Sequence, residues 1–174
     1  MKNTLFPDDP DSTPHASAEI SAADDRTLRM ASPPLDAAQL AGLVRYQEAF
    51  LAEAEPALAA GAPPAAVLPS AHEKGLAASG LSLKDVERGS ALLRAFSGRR
   101  WTLQRILERY RQLEGDGTPQ AEERRARVEE ELARLQNLDD LQRRYGAETL
   151  ALLMRAEKQL VPLHARLVRV LGQG

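Results

Sequence analysis

The sequence predicts an all-α protein, an elongated antiparallel bundle of four main helices plus one short helix, preceded by a disordered N-terminal tail. Three observations carry that expectation. Alanine (29) and leucine (27) dominate the apolar residues, aromatics make up 4% of the 174 residues, and isoleucine occurs only as Ile20 and Ile106, so little strand-forming material is present. Apolar residues recur at three- and four-residue steps over long stretches. Capping and turn residues cut those stretches into helix-length pieces.

Residues 1–34 read as a disordered acidic tail and residues 35–174 as the helical bundle domain. Pro7, Pro10, Pro14, Pro33 and Pro34 interrupt the tail, and its scattered Leu5, Phe6, Ile20, Leu28 and Met30 bury too little apolar surface to offset the entropy of ordering it. Six acids against Lys2, Arg26 and Arg29 give residues 1–33 a charge of −3, leaving +1 for the remainder of a chain whose net charge is −2. Around Ile20 and Leu28, residues 19–30 are a candidate docking motif, with plain linker as the alternative.

The first helix starts at about Ala37, where Asp36 and Gln39 form a capping box and Leu35 with Leu40 has the spacing of a hydrophobic staple. Leu40, Leu43, Val44, Phe50, Leu51, Ala54 and Leu58 then mark its apolar face, until Pro56 kinks or ends it. After the breakers Gly61, Pro63 and Pro64, Ser70 and Glu73 suggest a second capping box, opening a short helix that stops near Gly80. Ser82 and Asp85 open a third helix, of about 30 residues, whose stripe Leu92, Phe96, Leu103, Ile106, Tyr110, Leu113 is interrupted only by Arg99. Gly115 to Pro119 forms a turn, and a fourth helix is expected from Pro119 to about Arg144 through Val128, Leu132, Leu135, Leu138 and Leu141. Gly146 ends it, and a fifth helix over about 147–171 carries Pro162 as an internal kink. The third, fourth and fifth helices are expected to form the core, with the first as the fourth element of the bundle.

Charge favours the same hairpin. Residues 88–111 carry seven arginines, whereas residues 114–131 carry seven acids and three arginines. Folding one on the other would set opposite charges side by side, each exposed pair contributing ~0.2–1 kcal/mol and all of them together disfavouring a wrong register.

Two sets of residues stand out as candidate sites. The first is a basic patch, Arg94, Arg99, Arg100, Arg105 and Arg109, interleaved with Trp101, since guanidinium forks pair with phosphate and rings stack on bases. The competing reading is neutralisation by the acidic fourth helix. The second is a buried polar pair, Glu157 and His164, which replace leucine in the seam of the last helix, with Arg99 as the simplest partner for Glu157. Seven residues separate the two, about 10.5 Å along a straight helix, too far to share one metal. His72 reads as a surface histidine, and no metal-ligand spacing, phosphate loop or nucleophile elbow accompanies any histidine.

The absence of cysteine excludes disulfides, thiolate nucleophiles and Cys-ligated metals. No stretch approaches the roughly 18–20 apolar residues of a membrane span, and Met1 to Pro10 has no signal-peptide core, so a cytoplasmic location is expected. Tyr46 and Phe50, the Arg144-Tyr145-Gly146 helix break, and the following Arg155, Glu157 and Leu160 resemble a group of uncharacterised helical proteins from myxobacteria, many of them predicted lipoproteins. That resemblance, over residues 40–171, implies a helical bundle and no particular activity. The chain departs from the group in having neither signal peptide nor lipidation cysteine, and a cell-envelope location is the alternative if the start site is misassigned. No catalytic residue, cofactor or metal is expected. Coiled-coil-like amphipathic helices without catalytic constellations predict a non-enzymatic helical interaction or adaptor protein, with a protein partner or homo-oligomer, and a nucleic-acid binder using residues 94–111 as the alternative.

Overall fold

The computed structural model describes residues 34–113, 115 and 117–172; the expected tail and its candidate docking motif at 19–30 lie outside them. The described residues form the elongated all-α bundle. Six helices follow one another: α1 (Ala37–Ala59), α2 (Pro64–Ser79), α3 (Leu83–Leu113), α4 (Pro119–Gln136), α5 (Asp139–Tyr145) and α6 (Ala147–Leu171).

Local chemistry sets most boundaries. Gln39 N donates to Asp36 Oδ1 at 2.7 Å and Asp36 N to Gln39 Oε1 at 3.1 Å, the reciprocal box expected from the sequence. Ser82 Oγ accepts from Asp85 N at 3.2 Å, and Thr118 Oγ1 from Ala121 N at 3.2 Å. The structure corrects two extents. α2 begins at Pro64, whose missing N–H costs nothing at a first helical position, and Ser70 donates instead to Glu53 Oε1 of α1 at 3.3 Å. The helix expected over 119–144 divides at Asn137, whose Oδ1 accepts from Asp139 N at 2.8 Å in an Asx turn. Pro56, by contrast, does not end α1, which runs on to Ala59, and Pro162 lies inside α6.

The division at Asn137 coincides with a change of packing partner. A large cluster unites α1, α2, the first half of α3 and α6 around Leu43, Leu51, Leu93, Phe96, Leu153 and Leu160, and Leu141 of α5 belongs to it. A smaller one joins Leu103 of α3 to Leu132 and Leu135 of α4. Between Leu135 and Leu138 the chain leaves one cluster for the other, and the Asx turn at Asn137 falls at that passage. The core is therefore built on α1, α3 and α6, and α4 is an arm that packs along α3, a correction to the expectation that it would sit centrally.

Polar bonds fix the directions of the helices. Arg100–Glu157 and the Gly98–His164 approach set α3 and α6 antiparallel. Leu35 N to Thr149 Oγ1 (3.1 Å) and the two-pronged Arg166–Glu55 contact (2.9 and 2.6 Å) make α1 and α6 parallel. Glycine then brings α2 onto α1. A Cβ on Gly75 would lie 2.8 Å from Tyr46 Cδ2 and 2.9 Å from the Tyr46 carbonyl oxygen. In an exposed helix Gly→Ala gains about 1 kcal/mol. Here Gly75→Ala is expected to cost about 1–3 kcal/mol in urea denaturation, because the obstacle includes backbone.

Candidate functional site

On α3, Arg94, Trp101 and Arg105 recur at seven- and four-residue steps and share a face, while Arg99 and Arg100 turn away from it. The sequence-derived patch therefore separates into parts. Arg100 Nε donates to Glu157 Oε1 at 2.9 Å across the α3–α6 crossing, with both side chains 18% exposed. Arg99 Nη2 donates to the Arg134 carbonyl of α4 at 3.1 Å. The partner of Glu157 is thus Arg100 and not Arg99. The stripe position made Arg99 the natural choice, but the α4 arm claims it.

His164 is brought to the same crossing without touching that pair. Its ring packs on the bare backbone of Gly98, where an added Cβ would come within 3.3 Å, and edge-on to Trp101 with ring centroids 5.7 Å apart. The Arg105 guanidinium lies 4.7 Å above the other aromatic partner in this row, the Trp101 ring. Burial, reinforced by repulsion from Arg94, pushes the His164 imidazole below the ordinary histidine range. Among the described residues no three His, Asp or Glu side chains are grouped to hold a metal.

Arg94, Arg105 and Arg109 are exposed and make no ion pair with a described residue. The expected neutralisation by α4 is absent among the described residues: Glu123 pairs with Arg127 and Glu131 with Arg134, both within α4. Tyr110 Oη donates to Glu129 Oε1 at 2.7 Å, a bond across the two helices beside that of Arg99. Three- and four-residue spacing satisfies these acids locally, before the hairpin partner is reached.

A second constellation was not foreseen. The Tyr46 hydroxyl and His72 Nδ1 are 2.7 Å apart, their rings edge-to-face at 5.7 Å, so His72 is half-buried and partnered rather than a bare surface histidine. Burial raises the Tyr46 phenol, with Arg94 opposing. Nothing in sequence spacing links residues 46 and 72. The close α1–α2 approach at Gly75 does so. Beside this pair, α1, α3 and α6 enclose a groove of about 220 Å³ with Arg94 on its wall.

No family model, curated protein or solved structure matches the chain. Its chemistry is therefore argued from these contacts.

Two tests follow from the crossing. Removing one member of a shielded ion pair strands the other, whereas replacing both with apolar groups need not cost stability. Glu157→Leu alone is expected to lose about 1–2 kcal/mol and Arg100→Met/Glu157→Leu clearly less, in a double-mutant cycle read by chemical denaturation. For His164, the folded protein holds the neutral ring, so the unfolded chain binds the extra proton. The stability it contributes is complete above the unfolded value, near ~6.5, and drains away as pH falls from there through the lowered folded value. His164→Gln should flatten the fall in stability between about pH 7 and pH 5 in melts across that range.

Proposed function

We propose that the protein is a non-enzymatic helical interaction module that binds another protein, or a second copy of itself, through the apolar cleft between α1 and α3. The observation that carries this reading is the composition of the cleft. Leu35, Leu81, Leu92 and Tyr145 face a small opening left by the chain, with Asp85 and Arg88 at its rim. An apolar centre inside a polar border is the anatomy of a protein-binding patch. The exposed apolar side chains of α6, Met154, Val168 and Leu171, offer a further edge.

A second reading, nucleic-acid binding along α3, is supported by the unpaired Arg94, Arg105 and Arg109 around Trp101. The two readings differ in their response to salt and to rim charge. Light scattering of the full chain is expected to reveal self-association, or a pull-down a discrete protein, and Arg88→Glu at the exposed rim is expected to weaken that association without unfolding the bundle. A strictly monomeric chain that retains nothing overturns the interaction reading. A gel shift that collapses steeply with rising salt would put the nucleic-acid reading in its place.

A further inference from the structure

The groove beside Tyr46 contains one buried polar atom that the described residues leave without a hydrogen bond, with an exposed arginine one helical turn from it. Ser90 Oγ is fully buried with no hydrogen-bond partner. Gln47 of α1, 5% exposed, lines the same groove. Arg94, one turn of α3 beyond Ser90, is exposed and has no ion pair among the described residues. Stranding a buried hydroxyl costs about 1–3 kcal/mol, and native proteins rarely tolerate it without a reason. Tyr46 and His72, in contrast, satisfy each other. A hydroxyl and a guanidinium one turn apart both donate, and a single anionic acceptor would answer the two together.

The rest of the groove is apolar, with Val86 on α3 and Leu167 and Leu171 on α6 forming its walls, and Leu171 is 48% exposed at its edge. Glu87 lies about 10.5 Å along α3 from Arg94 and would repel a second negative charge at that end. One guanidinium matches the fork of one carboxylate, whereas a phosphate dianion calls for additional cations. Size limits the occupant as well. A cavity of about 150 Å³ accepts benzene, so about 220 Å³ suits a body of roughly nine heavy atoms.

We propose that this groove binds an apolar monocarboxylic acid of medium chain length, its carboxylate held by Arg94 and Ser90 and its hydrocarbon against Val86, Leu167 and Leu171. The site is separate from the α1–α3 cleft and does not depend on the interaction reading.

The test titrates the full chain with sodium octanoate below its micellar range, using calorimetry and the fluorescence of Trp101, with amide NMR to locate the site. Octanol, octylamine and a short peptide ending in a free leucine carboxylate are the comparison ligands. Octanoate is expected to bind once, to shift resonances of Tyr46, Ser90 and Leu167, and to bind at least about tenfold tighter than octanol. Arg94→Gln, at an exposed position, is expected to remove that preference while leaving octanol binding and thermal stability unchanged, and Ser90→Ala to reduce it. Equal affinity for octanoate and octanol, no saturable binding, insensitivity to Arg94→Gln, or shifts centred elsewhere would each overturn the proposal. Tighter binding of the peptide than of octanoate would also overturn it, replacing the free acid with a protein C-terminus.

Discussion

The bundle depends on how closely α1 approaches its neighbours. At Gly42 an added Cβ would lie 2.8 Å from Leu81 Cδ1, at Gly75 2.8 Å from Tyr46 Cδ2, and at Gly89 2.3 Å from Leu43 Cδ1. Each glycine costs the helix about 1 kcal/mol relative to alanine. In return, side chains on α1 pack directly against backbone, where dispersion contacts are dense and small residues fill the layer. Leu51, Ala54 and Ala71 are completely excluded from solvent as a result. The same approach sets the distance between Tyr46 and His72 and brings Gln47 of α1 and Ser90 of α3 to the walls of one groove.

α3 carries a different burden, since it serves two cores. Leu92, Leu93 and Phe96 belong to the main cluster, and Leu103 with Ile106 and Leu107 to the arm shared with α4. Where the helix passes from one to the other, the residues are Arg99, Arg100 and Trp101, and their partners lie on different helices. Arg99 binds the α4 backbone, Arg100 the carboxylate of α6, and Trp101 the His164 ring. A polar junction there keeps the two apolar clusters from merging into one slippery seam. α4 buries only Ala121, Leu132 and Leu135, so it belongs to the low-stability end of the local-opening spectrum, while α1 and α6 share in the global transition.

Much of this architecture was legible in residue order because it is local. The Asp36 box and the Ser82 and Thr118 caps rest on side chains within three residues of the groups they satisfy, and the break at Gly146 on a positive φ that glycine adopts freely, so spacing reveals such chemistry directly. The division at Asn137 was hidden because Leu135, Leu138 and Leu141 keep helical spacing across it, while the turn itself coincides with the passage from one cluster to the other. The candidate site was half legible for the same reason. That Glu157 needs an arginine follows from its seam position, but Arg99 and Arg100 are adjacent in sequence and point to different helices, so the choice between them is tertiary. The Tyr46–His72 pair and the unanswered Ser90 had no signal in spacing, since helix–helix distance decides both.

The fate of the charges bears on what the protein can recognise. The hairpin of α3 and α4 had been expected to cancel them. Instead Glu123 and Glu131 of α4 pair with its own Arg127 and Arg134, four and three residues away, and α3 keeps Arg94, Arg105 and Arg109 exposed and without an ion pair among the described residues. Local pairing wins because two side chains on consecutive turns meet at little entropic cost, whereas a bridge between helices must also fix their register. The consequence is separation of charge rather than neutrality: a nearly balanced chain, with a formal charge of −2, presents a cationic face on one helix. With screening over about 8 Å at physiological salt, that face acts only on groups in or next to contact. Recognition by this protein is therefore governed by which donors stand at the edge of an apolar surface, Arg94 foremost among them, and not by its overall charge.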